Sequence, residues 1–207
     1  MSDIFITSDE HYGHDFIRKV KNRPFPDIYS MTEGMIARHN KKVPDSPNYL
    51  TIHAGDLFWR TLDPDECMGI LNRLHGRHAL VWGNHDDVIQ ESEWLQSKFE
   101  WCKDIHQLYF NKHKLTICHY AMRVWPKSHQ GHWMVYGHSH QELPPQGLSF
   151  DIGVEGHNYE PWSLEEIESK MQKLTQHHAI PKDDVWNRSE SQIHYATKGK
   201  PDGDATC

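Results

Sequence analysis

The sequence predicts an α/β layered domain, on three observations: apolar runs of strand length, helix-start signals between them, and a late hairpin pattern. The runs Ile4 to Thr7, Tyr49 to Ala54, Ala79 to Trp82, Leu115 to Cys118, Trp133 to Tyr136 and Leu148 to Val154 are short and apolar, as buried strands are. Between them, Ser30-Met31-Thr32-Glu33 has the capping-box pattern ahead of Met35-Ile36. Pro64 is placed to open a helix through Met68, Ile70, Leu71 and Leu74, and Ser163-Leu164-Glu165-Glu166 starts another to about Leu174. Ile105 to Phe110 and Lys114 to Cys118, joined by Asn111-Lys112-His113, read as a hairpin, so the later sheet is expected to be partly antiparallel.

A chain of 207 residues suffices for one domain with a hydrophobic core, placed here at residues 1–176. Residues 177–207 are polar and lack apolar periodicity, which predicts a flexible tail. A net charge of −7 gives no general attraction for polyanions, so binding to duplex nucleic acid is not expected. The apolar runs are too short to span a bilayer, and Met1-Ser2-Asp3 lacks a basic n-region. A soluble, cytoplasmic protein is expected. Cys67, Cys102, Cys118 and Cys207 are far apart and read as reduced thiols. Histidine is abundant, at 18 residues, which points weakly toward metal.

Polar residues at the ends of the runs sharpen that indication. Asp9 and His11 follow the first run, Asp56 the second, Asn84 and His85 the third; His119 ends the fourth, and His138 and His140 follow the fifth. Ligand sites of α/β sheets gather beyond the carboxyl ends of strands, where loops converge over a rigid frame. Gly55, Gly83 and Gly137 permit tight backbone paths in three of these turns. Seven Asp, His and Asn side chains without sulfur exceed the needs of one tetrahedral zinc, and a carboxylate such as Asp56 can bridge two cations. Mixed nitrogen and oxygen donors suit manganese first, and also iron, zinc or nickel. Two ions about 3.5–4 Å apart polarise a phosphoryl group and generate hydroxide from a bridging water.

Asp9-x-His11, Gly55-Asp56, Gly83-Asn84-His85-Asp86, His119 and Gly137-His138-x-His140 together resemble, in order, the motif set of the calcineurin-like metallophosphoesterase superfamily. Ser8-Asp9-x-His11-x-Gly13-His14, Asn22-Arg23-Pro24-Phe25 and Asn158-Tyr159-x-Pro161-x-Ser163-Leu164 extend the resemblance to a bacterial and phage branch of small phosphoesterases, over about residues 3 to 170. The resemblance implies two facing mixed β-sheets flanked by helices, a four-layer αββα sandwich. It implies a first metal site of Asp9, His11, Asp56 and His140 and a second of Asp56, Asn84, His119 and His138. It also implies that His85 sits over the phosphate as general acid, oriented by Asp86. Leu57-Phe58-Trp59-Arg60 stands where several relatives carry a further Asp, a difference that bears on the pocket wall.

His14 reads equally as a phosphate contact or a helix cap, and Arg23 as a bidentate phosphate ligand or a pin for its loop. For Trp59 and Trp125, beside the strand ends, packing is expected ahead of base stacking. The expected activity is hydrolysis of a small phosphate ester, a diester ahead of a monoester, with a nucleotide or nucleic-acid end among the candidate substrates. The alternatives are an idle binding module on the same fold and a protein Ser/Thr phosphatase.

Overall fold

The computed structural model describes residues 3–174, so the polar tail predicted from residue 177 lies outside the described residues. In chain order the first half holds β1 (Asp3–Thr7), α1 (Asp15–Val20), α2 (Ile28–Lys42), β2 (Tyr49–His53), α3 (Pro64–Leu71), β3 (Arg77–Val81), α4 (Asp87–Gln90) and α5 (Glu93–Gln96). The second half holds β4 (Cys102–Lys103), β5 (Ile105–Phe110), β6 (His113–Cys118), β7 (Trp133–Tyr136), β8 (Ser149–Asp151), β9 (Trp162–Ser163) and α6 (Leu164–Met171), with two short 3₁₀ turns.

The strands form two mixed sheets. One has the order β4-β3-β2-β1-β9, with β9 antiparallel to β1 at one edge and the other pairs parallel. The other has the order β5-β6-β7-β8, where β5 and β6 form the hairpin and β6, β7 and β8 run parallel. Side chains alternate across the first sheet as the strand period requires. Ala79 and Val81 face Ile117, Val135 and Phe150 of the other sheet, whereas Leu80 faces Met35 and Leu71 of α2 and α3. The two sheets therefore share one apolar interior, and α2 and α3 cover the far side of the first. Each buried Leu or Ile there is worth about 1.5–3 kcal/mol relative to exposure.

The helix starts obey capping chemistry, with one correction. Asp63 and Ser163 form full capping boxes at α3 and α6. The helix expected to start at Ser30 begins instead at Ile28, because the Asp27 carboxylate accepts the Ser30 N–H and displaces the Ser30 box. The run Leu148 to Val154 is a strand only over Ser149–Asp151, since Val154 enters a 3₁₀ turn. Trp125 is 5 % exposed among Cys118, Met134 and Tyr136 and donates its indole N–H to His132 O at 2.9 Å, so it packs the outer face of the second sheet. Cys67, Cys102 and Cys118 are free thiols. No helix among the described residues is long and apolar enough to cross a membrane.

Candidate metal centre

All five strand ends named by the sequence converge. Asp9, His11 and His140 place one ligand atom each within 4.8 Å of one another, and Asp56, His119 and His138 do the same. Asp56 joins the two groups: its Oδ2 lies 3.5 Å from His11 Nε2 and its Oδ1 3.5 Å from His119 Nε2. Asn84 belongs to the second group, with Oδ1 3.1 Å from His119 Nε2.

The backbone explains how so many ligands fit one place. Asp9, His11, Asp56, His138 and His140 have φ of 61°, 53°, 58°, 66° and 47°, left-handed values that non-glycine residues seldom adopt. Each costs on the order of 1–3 kcal/mol and persists because its surroundings fix it. The strand-end loops interlock: Asp9 N–H donates to Gly55 O, His11 N–H to Asp56 O, and His138 N–H to the Asp9 carboxylate, 3.0 Å from both oxygens. Glycine is required where these loops touch. A Cβ on Gly137 would stand 1.9 Å from Ser8 Oγ, and one on Gly55, itself at φ +97°, 2.4 Å from His119 Nδ1.

The donor set fits divalent cations. Both ring nitrogens of His11 are buried without a hydrogen-bond partner. Burial, then the neighbouring Asp56 and Asp151 carboxylates, push the Asp9 carboxyl well above its usual range, so a cation there would relieve a real repulsion. His119 Nδ1 lies 2.8 Å from Ala54 O, which fixes the proton on Nδ1 and turns the Nε2 lone pair to Asn84 and Asp56. His140 is set the same way, with Nδ1 3.2 Å from Glu155 Oε1 and Nε2 toward Asp9.

The structure places three further residues named by the sequence, and of these Asp86 departs from its expected position. Asp86 does not reach the His85 ring. Its carboxylate accepts the backbone N–H groups of Asp56, Leu57 and Gly83 at 3.1, 3.0 and 2.7 Å, which pins the second and third strand-end loops together. Burial pushes that carboxyl up to about 7 against those same bonds. Arg23 is turned inward: its side chain is fully buried and donates to Asp9 O, Glu10 O and Glu155. His14 occupies the N-cap position of α1 without a side-chain capping bond. Its ring lies 5.3 Å from that of His11 and stacks on Trp59 at 3.5 Å and 4°, and its buried Nδ1 has no partner. Burial, with His85 and Arg23 nearby, holds the His14 imidazole down to about 4.

The His85 ring stands 5.6 Å from His11 and 4.8 Å from Trp59, while its backbone N–H donates to Asp56 Oδ1 at 2.9 Å. On the other flank Tyr120, 46 % exposed, sits 5.0 Å from His119 and 4.9 Å from His138. Two features escaped the sequence reading. Glu155 bonds both Arg23 and His140, and it follows the sixth apolar run, so the strand-end rule would have found it. Glu10, between two ligands, bonds His53 Nδ1 at 2.5 Å, and His53 Nε2 lies 3.1 Å from His78 Nδ1, a buried polar chain with no signal in the sequence.

The chain is similar to an uncharacterised protein of Methanocaldococcus jannaschii, 27 % identical over 180 residues, covering 84 % of this chain and 93 % of that protein. A crystal structure of a protein of unknown function from Aquifex aeolicus shares the fold, with a TM-score of 0.63 and 21 % identity over 81 % of this chain and 98 % of the other. The family model described as calcineurin-like phosphoesterase matches residues 2–196. With that match over most of its length and two ligand groups that could hold a metal, the chain belongs to the calcineurin-like phosphoesterase family and is a metal-dependent phosphoesterase.

Proposed function

We propose that the enzyme hydrolyses phosphodiesters ahead of monoesters, on a small substrate such as a nucleotide or a nucleic-acid end. The centre would hold one ion on Asp9, His11, Asp56 and His140 and another on Asp56, Asn84, His119 and His138, with manganese the first candidate. Bound there, the ions supply Lewis-acid activation of the phosphoryl group and of water. His85 protonates the leaving oxygen, a contribution of about 10²–10⁴ in rate. His14 offers its unpartnered Nδ1 to a substrate oxygen. Arg23 and Asp86 act behind the site as anchors.

The observation that carries the diester preference is the direction of Arg23. A monoester dianion calls for cationic donors beyond the metals, yet this guanidinium is spent on Asp9 O, Glu10 O and Glu155. A singly charged diester needs no such clamp. The free thiols Cys67, Cys102 and Cys118 support a cytoplasmic setting.

The test is turnover of bis(p-nitrophenyl) phosphate against p-nitrophenyl phosphate with manganese, iron, zinc or nickel. The diester is expected to turn over faster, and His85→Asn to lower its kcat by about 10²–10⁴ with metal content unchanged. Faster monoester turnover would remove the diester preference, and no turnover with any of the metals would remove the function.

A further inference from the structure

We propose that Tyr120 is a specificity residue, whose ring stacks on a planar aromatic ring carried by the ester group that stays on phosphorus. The proposal rests on the phosphodiesterase reading above and narrows the substrate class of that same centre.

The two flanks of the centre differ in their aromatic surroundings. The rings beside His85 are Trp59 at 4.8 Å, His11 at 5.6 Å and His14 at 6.4 Å, all on the side of the first ligand group. Trp59 is already engaged there, with the His14 ring stacked on it at 3.5 Å and 4° and the Arg60 guanidinium 5.2 Å from its centroid. Tyr120 stands on the side of the second group, 5.0 Å from His119 and 4.9 Å from His138. That side faces solvent: Asn84 and His138 are exposed, and Tyr120 itself is 46 % exposed.

The ring is held from behind and open in front. Tyr120 directly follows His119 at the end of β6, and His119 is tied twice, by its carbonyl accepting the Gly137 N–H at 2.9 Å and by its Nδ1 lying 2.8 Å from Ala54 O. The ring planes of His119 and His138 meet that of Tyr120 at 77° and 63°, the edge-to-face arrangement that aromatic pairs favour. Neither histidine lies flat on Tyr120, so ring surface remains for a partner from solvent.

The reaction assigns that partner. The oxygen of water bonds to phosphorus, the P–O bond to the departing alcohol breaks, and the proton on His85 passes to that alcohol oxygen. A proton from the water then restores the imidazole. The departing group therefore occupies the His85 flank, and the retained group takes the open flank, where Tyr120 stands. An uncharged flat ring recognises a flat partner by stacking, whatever hydrogen-bond pattern that partner carries. Tyr120 thus selects for planarity, in an aryl group or in a base.

The experiment compares diesters that share p-nitrophenol as the departing group and retain cyclohexyl, phenyl, or thymidine through O5′, with whichever metal supports turnover of bis(p-nitrophenyl) phosphate. Cyclohexyl and phenyl are close in size and apolarity and differ in flatness. The phenyl ester is expected to exceed the cyclohexyl ester about tenfold or more in kcat/KM, Tyr120→Ala to lower that ratio about tenfold, and Tyr120→Phe to keep it. The thymidine ester ranks with the phenyl ester where the selected ring is a base on a sugar, and with the cyclohexyl ester where it is an aryl group bonded to the ester oxygen. A phenyl-to-cyclohexyl ratio near one, a ratio untouched by Tyr120→Ala, or one lost equally in Tyr120→Phe would each overturn the stacking role. Absence of turnover for every diester would instead remove the phosphodiesterase reading, so the two failures are distinct.

Discussion

The two ligand groups have similar donors and different surroundings. Asp9 and His11 are 0 % and 1 % exposed, and His140 behind them is held by Glu155, which Arg23 holds in turn. In the other group His119 is fixed by Ala54 O, but His138 and Asn84 are exposed and carry no side-chain anchor comparable to Glu155 among the described residues. One group is built before any ion arrives, and the other is completed at the solvent boundary. Preorganised ligands lose little freedom on binding, so the buried group is expected to be the tighter and slower-exchanging of the two.

The largest effect is expected where the contrast vanishes. Asp56 faces both His11 and His119, so Asp56→Ala should empty both groups and lower diester turnover by about 10⁴ or more, at least the upper end of what one general acid supplies. Metal analysis after dialysis checks this, and retention of one full equivalent would show that Asp56 serves only one group. Next in size is Glu155→Gln, which removes the charge behind His140 while keeping its shape. Burial opposes ionisation of Glu155, and the His140 bond and the Arg23 charge outweigh it, holding its carboxyl low. The variant should weaken the tighter of two metal-binding steps by about 10–100-fold and leave the weaker step in place. Isothermal titration with manganese resolves the steps, and weakening of the looser one instead would reverse the comparison.

The smallest effect concerns the buried polar chain behind the first group. Burial holds His39, whose ring stacks 6.4 Å from His53, down to about 3 against an ordinary 6.5. The unfolded chain therefore takes up a proton near pH 6.5 that the folded protein refuses until about pH 3, and stability falls as pH drops through that window. His39→Gln lacks this term. The gap in unfolding free energy between the native protein and the variant should narrow by about 1.4 kcal/mol per pH unit below pH 6. Denaturant titrations at pH 7 and pH 5 measure it, and a constant gap would mean that His39 is protonated in the fold.

The sequence made legible what local chemistry decides. An Asp, Asn or His after an apolar run announces a candidate strand-end ligand, and all seven such candidates meet. The directions of long side chains were not legible. In the sequence Arg23 reads as a phosphate ligand or as a pin for its loop, and only its bonds to Asp9 O, Glu10 O and Glu155 and the packing of Met31 and Met35 against it show that it points inward. Asp86 beside His85 suggests a catalytic pair, whereas its orientation is set by backbone groups of the Asp56 loop, distant in sequence. β4 and β9 have two residues each, too short for any periodic signal.

The five left-handed ligands carry an evolutionary implication. At each of them the fold tolerates a backbone conformation it would otherwise avoid, and at Asp9 it also tolerates a repelled buried carboxylate. At such positions a glycine, or at Asp9 a neutral side chain, would destroy ion binding while relieving torsion or repulsion in the folded state. A lineage that had ceased to use the centre would be free to shed the histidines, and would lose only the loop bonds of the Asp9 and Asp56 carboxylates to the His138 and His85 N–H groups. All seven are in place in this chain, which favours a centre kept under selection over an idle module wearing the same fold.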